Sequence, residues 1–233
     1  MTKLHSYRDI ATIIDHSILS PGATVAELEA GCLLARQYEV ASVCLLPYYL
    51  KRCAELLRGS SVQPSTTIGF PHGANATTTK IKEIEQALKD GATEVDAVIN
   101  ISKAQSGDWE YVRREIEVLT LAARAGGAKI KIIFENTFHE NPTKIRLCEI
   151  CGEIGVDWVK TSTGFAPSGA TVADVMLMRK HSPPHVQVKA SGGIRTLDAV
   201  MEFRAAGATR VGSSATARIL EDCRKRLNAN VVS

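Results

Sequence analysis

Asp157-Trp158-Val159-Lys160-Thr161-Ser162-Thr163-Gly164-Phe165 opens as a short apolar run, delivers one lysine at its end and then breaks into small polar residues. Val186-Gln187-Val188-Lys189-Ala190-Ser191-Gly192-Gly193 repeats the plan. Working outward, apolar and β-branched runs recur at 11–14, 40–46, 66–69, 95–99, 129–134, 156–160, 186–189 and 209–211. Their spacing of about 30 residues is the length of one strand plus one helix. Helix-period stripes lie between them: Trp109, Val112, Ile116, Leu119 and Ala123; Ile81, Ile84 and Leu88; Val172, Val175 and Met176. Gly91, Gly126-Gly127, Gly155 and Gly207 follow helices, as C-terminal caps do. Strands apolar on both faces and separated by helices call for a covered parallel sheet. Eight strand–helix repeats close into a (β/α)8 TIM barrel, expected here as a single α/β domain over residues 1–233 with a short N-terminal extension. An open doubly wound sheet is the alternative, but no G-x-G-x-x-G follows the first strand.

Composition narrows the function. At 45% hydrophobic and 23% charged residues, the 233-residue chain reads as an ordinary globular protein. Its net charge of +3 argues for neither nucleic acid nor an anionic membrane as partner. The most basic cluster, Arg224-Lys225-Arg226, reads as the solvated end of the last helix. No apolar run approaches the roughly 20 residues of a membrane span. Residues 1–19 carry His5, Arg8, Asp9, Asp15 and His16 with no apolar leader core, so a cytoplasmic location is expected. The six cysteines are scattered. Cys148 and Cys151 form one C-x-x-C inside a predicted helix, without the second pair a zinc site needs, and reduced, buried thiols are expected. No H-E-x-x-H and no G-x-S-x-G is present, which argues against a catalytic metal and a hydrolase elbow.

Chemistry in such a barrel sits where strands end and loops begin. Two lysines at the exits of consecutive strands, Lys160 and Lys189, are unusual, because an unpartnered buried ammonium is costly. If both face one pocket, desolvation and repulsion favour a neutral amine, a nucleophile for carbonyl carbon. In Glu94-Val95-Asp96-Ala97-Val98-Ile99-Asn100, alternation puts Glu94, Asp96 and Val98 on one face. An inward carboxylate at Asp96 needs a cation, which either lysine or Lys131 could supply, in a catalytic or a purely structural pair. Of Asp15 and His16 at most one faces the site. Asp15 is favoured, with His16 a satisfied structural histidine. Gly192-Gly193 and Gly212-Ser213-Ser214 precede helices after strands seven and eight, where backbone N–H groups and hydroxyls suit a phosphate. They serve equally as turn glycines and N-caps.

Several of these stretches together resemble the deoxyribose-phosphate aldolase family, class I aldolases built on a (β/α)8 barrel. They are Asp15-His16-Ser17-Ile18-Leu19, Ser42-Val43-Cys44, Gly69-Phe70-Pro71-His72-Gly73, the Glu94–Asn100 strand, Val159 to Phe165 and Val188 to Arg195. The resemblance implies that Lys160 forms the Schiff base, that Lys189 lowers its pKa and that Asp96 relays protons. It implies that Thr163, Gly192, Gly193, Gly212, Ser213 and Ser214 hold a sugar phosphate, with Asp15 nearby. The implied reaction is reversible cleavage of 2-deoxy-D-ribose 5-phosphate to D-glyceraldehyde 3-phosphate and acetaldehyde, in a homodimer or homotetramer, with no metal or organic cofactor.

The chain departs from the pattern at four places. Phe165-Ala166 stands where some members have a lysine, Ser20-Pro21 where the Asp-His motif often continues to a lysine, and Glu135-Asn136 where Glu-Thr is usual. It ends Asn230-Val231-Val232-Ser233, where some members end in a tyrosine. Another phosphate-binding barrel enzyme would share the glycine loops without needing a nucleophilic amine. A non-catalytic metabolite-binding barrel would be expected to lose Lys160 or Asp96.

Overall fold

In the computed structural model, which describes residues 6–232 and side chains to residue 229, eight parallel strands close on themselves in chain order. They are β1 Ile14–Ile18, β2 Ser42–Leu45, β3 Gln63–Ile68, β4 Glu94–Val98, β5 Lys129–Ile133, β6 Trp158–Lys160, β7 Gln187–Ser191 and β8 Arg210–Ser213. All eight expected strands are present. The first is displaced: Ala11 ends a helix, α1 Tyr7–Ala11, and the strand starts only at Ile14. Ser6 accepts from the Asp9 N–H and starts α1, so the apolar stretch at 10–14 is shared between a helix end and a strand start. Asp15 and His16 therefore lie inside β1 rather than beyond it.

The helices between the strands follow their stripes. In α6 (Trp109–Ala125), Val112, Ile116, Leu119 and Ala123 are buried, and Asp108 caps the N-terminus through the Tyr111 N–H. In α8 (Val172–His181), Val175 and Met178 face inward while Met176 is 58% exposed, so the expected stripe turns one step differently. Arg224-Lys225-Arg226 lies well inside α10 (Thr216–Val232) rather than at its end. There Arg224 stacks on Tyr7 and Tyr38, and Arg226 pairs with Asp198 and Asp222. The tyrosine comparison at Asn230 to Ser233 concerns side chains outside those described. Among the described residues no helix is long and apolar enough to cross a membrane.

Alternation along the strands sorts the barrel into two environments. Val95, Ala97, Ile130, Ile132, Val159, Val188, Ala190 and Val211 all belong to the apolar core packed beneath the helices. Their neighbours Asp96, Lys131, Lys160, Lys189 and Arg210 point the other way, into the barrel. Barrel interiors are ordinarily filled by branched apolar side chains. This one is filled by charge. Cross-strand register sets Asp96 beside Lys131, Lys160 beside Lys189, and Lys189 beside Arg210. The loop after β3 seats directly on the end of β4: a Cβ on Gly73, whose φ is +66°, would meet the Ile99 carbonyl oxygen at 1.8 Å.

Candidate active site

Asp96 is the hub of the interior. Its Oδ1 accepts from Lys131 Nζ at 2.8 Å, while Oδ2 accepts from both Lys160 at 2.8 Å and Lys189 at 2.7 Å. Lys131 also donates to Glu94 at 2.6 Å. Lys189 Nζ lies 2.6 Å from Asp15 Oδ2, at an angle that makes this an ion pair rather than a hydrogen bond. Asp15, Asp96, Lys131, Lys160 and Lys189 are all essentially sealed from solvent. The structure thus brings Lys160, Lys189, Asp96 and Asp15 together, and Asp96 takes every cation considered for it from sequence. Lys189 differs from its expected place. It is the middle residue of β7 rather than a strand exit, one layer inside the barrel. His16 is turned away from the cluster, with Nδ1 2.8 Å from Thr216 Oγ1. Burial pushes its pKa down to about 4, so it is neutral and structural.

Protonation separates the lysines. Burial lowers the pKa of Lys160 and the Lys189 charge lowers it further, while Asp96 alone among its close partners acts strongly the other way. Burial would lower Lys131 and Lys189 as well. Asp96 and Glu94 outweigh it for Lys131, Asp15 and Asp96 outweigh it for Lys189, and both are held above the usual lysine value. The carboxyls of Asp15 and Asp96 are held low by the same cations despite their burial. Desolvation is therefore the first cause of the Lys160 shift, and repulsion from Lys189 reinforces it. A neutral Lys160 still donates an N–H to Asp96, so the observed 2.8 Å contact fits either charge state.

Above this layer opens a cleft of about 520 Å³ lined by Thr163, Gly192, Gly193, Gly212, Ser213 and Ser214, with Arg195 at its edge. All six residues expected to hold a phosphate share it. Its floor rests on Lys189: a Cβ at Gly212 would stand 2.5 Å from Ser191 Oγ and 3.5 Å from Lys189 Cε. Gly192 (φ +93°) packs against the segment after β6, where a Cβ would meet Gly169 Cα at 2.8 Å. Ser213 is placed as expected, but its hydroxyl is engaged: it donates to the Ile194 carbonyl at 2.6 Å and accepts from the Ala215 N–H. The helix after Gly192-Gly193, α9 (Leu197–Ala205), is capped by Thr196. The double glycine is thus a loop ahead of the helix rather than its first turn.

Loops around the lysine strand are pinned by buried polar contacts. Glu135, in left-handed conformation at φ 60°, accepts from the Thr163 hydroxyl and the Thr163 N–H, and burial raises its pKa. Thr163 in turn accepts from the Phe165 N–H. Lys80, on α4 (Thr77–Lys89), pairs with Glu115 of α6 at 2.8 Å and donates to the Val98 carbonyl, while Glu115 accepts from the Asn100 N–H. That ion pair fixes the exit of β4, two residues beyond Asp96. Sequence reasoning misses Arg210, which donates to Asp15 and Glu94 at the far end of the barrel. Alternation from Gly212 would point Arg210 inward. Arg195 is missed because the glycines of its motif draw the reading first. No cluster of His, Cys, Asp and Glu suited to a metal occurs among the described residues, and the six cysteines are free and buried.

Residues 9–215 match the model of the DeoC/LacD family of aldolases. The chain is 55% identical over 223 residues to a deoxyribose-phosphate aldolase of Rhodopirellula baltica, covering 96% of this chain and 92% of that one. It is 44% identical over 227 residues to the one of Caldanaerobacter subterraneus, covering 97% and 98%. The deoxyribose phosphate aldolase of Aeropyrum pernix, solved as a tetramer, superposes with a TM-score of 0.87 at 32% identity, covering 95% of this chain and 93% of that one.

Proposed function

The chain belongs to the DeoC/LacD family of aldolases and is a carbon–carbon lyase, and from that premise we propose that it cleaves 2-deoxy-D-ribose 5-phosphate through a Schiff base on Lys160. The observation that carries the proposal is a buried amine with a single carboxylate partner, Lys160, at the end of β6 three residues before the cleft-lining Thr163. The neutral amine adds to the C1 aldehyde of the open-chain sugar, and loss of water leaves an iminium. Removal of the C3 hydroxyl proton breaks the C2–C3 bond. The bonding pair moves into the iminium, giving an enamine and D-glyceraldehyde 3-phosphate. Protonation at C2 and hydrolysis then release acetaldehyde and restore Lys160. Asp96, hydrogen-bonded to Lys160, is the group positioned to pass protons through a water or hydroxyl, an effect typically worth roughly 10²–10⁴-fold.

Thr163, Gly192, Gly193, Gly212, Ser213 and Ser214 would cradle the phosphate, Ser213 through its backbone because its hydroxyl is committed. Arg195 supplies a cation at the cleft edge, where this chain has Phe165-Ala166 in place of a lysine. Asp15 acts behind the site as the second carboxylate on Lys189. The Aeropyrum pernix relative, solved as a tetramer, supports a homo-oligomer. The test is reduction with borohydride in the presence of acetaldehyde, followed by peptide mapping. A two-carbon adduct on the Lys160 peptide is expected. A catalytically active chain with no adduct there would overturn the proposal.

Two consequences follow from this geometry. Gly192→Ala forces a side chain against Gly169 at a positive φ, a strain of about 1–3 kcal/mol. The expected result is a KM for the sugar phosphate raised about tenfold or more, with a smaller change in kcat, because the distortion falls on the phosphate cradle rather than on Lys160. Lys189→Leu removes a cation beside Lys160, so the Lys160 pKa rises. Activity needs the neutral amine and is lost as pH falls through that pKa. The acid limb of the kcat/KM profile should therefore move to higher pH by roughly 1 unit.

A further inference from the structure

Four basic and three acidic side chains share the barrel interior: Lys131, Lys160, Lys189 and Arg210 against Asp15, Glu94 and Asp96. One continuous chain of ion pairs joins them. Arg210 meets Asp15 at 2.5 Å and Glu94 at 2.7 Å, Glu94 meets Lys131 at 2.6 Å, and Lys131 meets Asp96 at 2.8 Å. Asp96 meets Lys189 at 2.7 Å and Lys160 at 2.8 Å, and Lys189 returns to Asp15 at 2.6 Å. An uncompensated charge in such a place is expensive, so the cluster is at its most stable when one base gives up a proton.

Arginine is not that base, because its guanidinium stays protonated in proteins. Lys131 contacts three carboxylates, with Asp15 the most distant at 3.8 Å, and Lys189 contacts two. Lys160 contacts one, and shares even that oxygen, Asp96 Oδ2, with Lys189. Lys160 is therefore the base that gives up its proton most easily.

Resting on the function proposed above, we infer that Arg210 is a positioning residue for the reaction: through Asp15 and Glu94 it occupies carboxylate charge that would otherwise let Lys160 keep its proton. Arg210 opens β8, two residues before the cleft-lining Gly212, and its side chain is 12% exposed. Trp158 holds the guanidinium from the side, with its ring centroid 5.0 Å away. Arg210 touches neither the cleft nor Lys160, and acts only through the two carboxylates. A residue at the N-terminal end of a barrel strand would by position alone be assigned to stability. The charge count gives it a second role.

The titratable groups facing Lys160 come from every side. β4 contributes Asp96 and Glu94, β5 Lys131, the segment after β5 Glu135, β7 Lys189, β1 Asp15, β2 Cys44 and β8 Arg210. The Cys44 thiol is held protonated by burial. Glu135 is bound to Thr163 and makes no ion pair with the cluster, so its influence is common to all variants compared below. β3 offers only hydroxyls, at Ser65 and Thr67.

The test is the pH dependence of kcat/KM for deoxyribose 5-phosphate in the full chain and in Arg210→Met, Arg210→Lys and Glu94→Gln. Removing the cation in Arg210→Met raises the Lys160 pKa and moves the acid limb up by roughly 1 unit, with the alkaline plateau largely kept. Arg210→Lys keeps the charge and stays near the parent profile. Glu94→Gln removes an anion and moves the limb the opposite way. If Glu94→Gln does not fold, the contrast between Arg210→Met and Arg210→Lys still decides. An Arg210→Met limb that coincides with the parent, or moves together with that of Glu94→Gln, overturns the inference. If the parent forms no reducible adduct at Lys160, it is the Schiff-base reading that fails, and the adduct experiment shows this separately.

Discussion

Replacing Lys160 by alanine is expected to abolish cleavage of deoxyribose 5-phosphate, with kcat/KM falling by about 10⁴–10⁶-fold, and to abolish trapping by borohydride in acetaldehyde. The size follows from the role proposed for it: without the amine there would be no iminium to receive the electrons of the breaking C2–C3 bond. The neighbouring amine is no substitute. Lys189 is held protonated by Asp15 and Asp96, the two carboxylates it contacts. The fold should tolerate the change well. Lys160 is the base in excess of the three interior carboxylates, and its partner Asp96 keeps two other lysines when it is gone. Circular dichroism and thermal melting should therefore show a folded chain with a midpoint close to the parent's, alongside an activity at background.

Asp96→Asn should do the reverse, damaging fold and chemistry together. That carboxylate is the shared partner of Lys131, Lys160 and Lys189, all buried. Removing one member of a buried pair leaves its partner uncompensated, at a cost of about 3–5 kcal/mol. The asparagine amide would also direct its own N–H groups at ammonium donors. Losing the proposed proton relay is expected to lower kcat by a further 10²–10⁴-fold, roughly the range for a positioned acid or base. Denaturant midpoints and steady-state kinetics would check both. A variant as stable as the parent would show that the interior charges are not held by Asp96.

Much of this is legible in the amino-acid sequence. Eight strand–helix repeats announce a barrel, and alternation in Glu94–Val98 turns Asp96 inward, where it meets Lys131. Where sequence and structure part, one pattern serves two structures. Ile10 to Ile14 is a single apolar stretch to the eye, yet a helix end and a strand start divide it, so Asp15 moves from an exit to the interior. Lys189 looks like an exit because a glycine pair follows it, while β7 runs on to Ser191 and keeps the lysine deeper. Ser213 has the hydroxyl of a phosphate donor, and that hydroxyl ties down the preceding loop instead.

Arg210 is the larger omission. A single arginine opening an apolar run reads as a solvated strand start. Only the closure of the barrel, which places β8 beside β1 and aims its side chain at Asp15 and Glu94, reveals the charge it balances. The balance is a property of all the inner faces taken together, and no local pattern contains it.

The central claim is that Lys160 Nζ lacks its proton at neutral pH while the other interior lysines keep theirs. Its direct measure is the extent of acetaldehyde adduct formation under cyanoborohydride as a function of pH, quantified peptide by peptide, with the exposed Lys51 as internal reference. Lys160 is predicted to be labelled far ahead of Lys51 at neutral pH, with a midpoint well below the ordinary lysine value of about 10.4. A Lys160 adduct that rises only in step with Lys51, or a label that falls on Lys189 instead, would contradict the account.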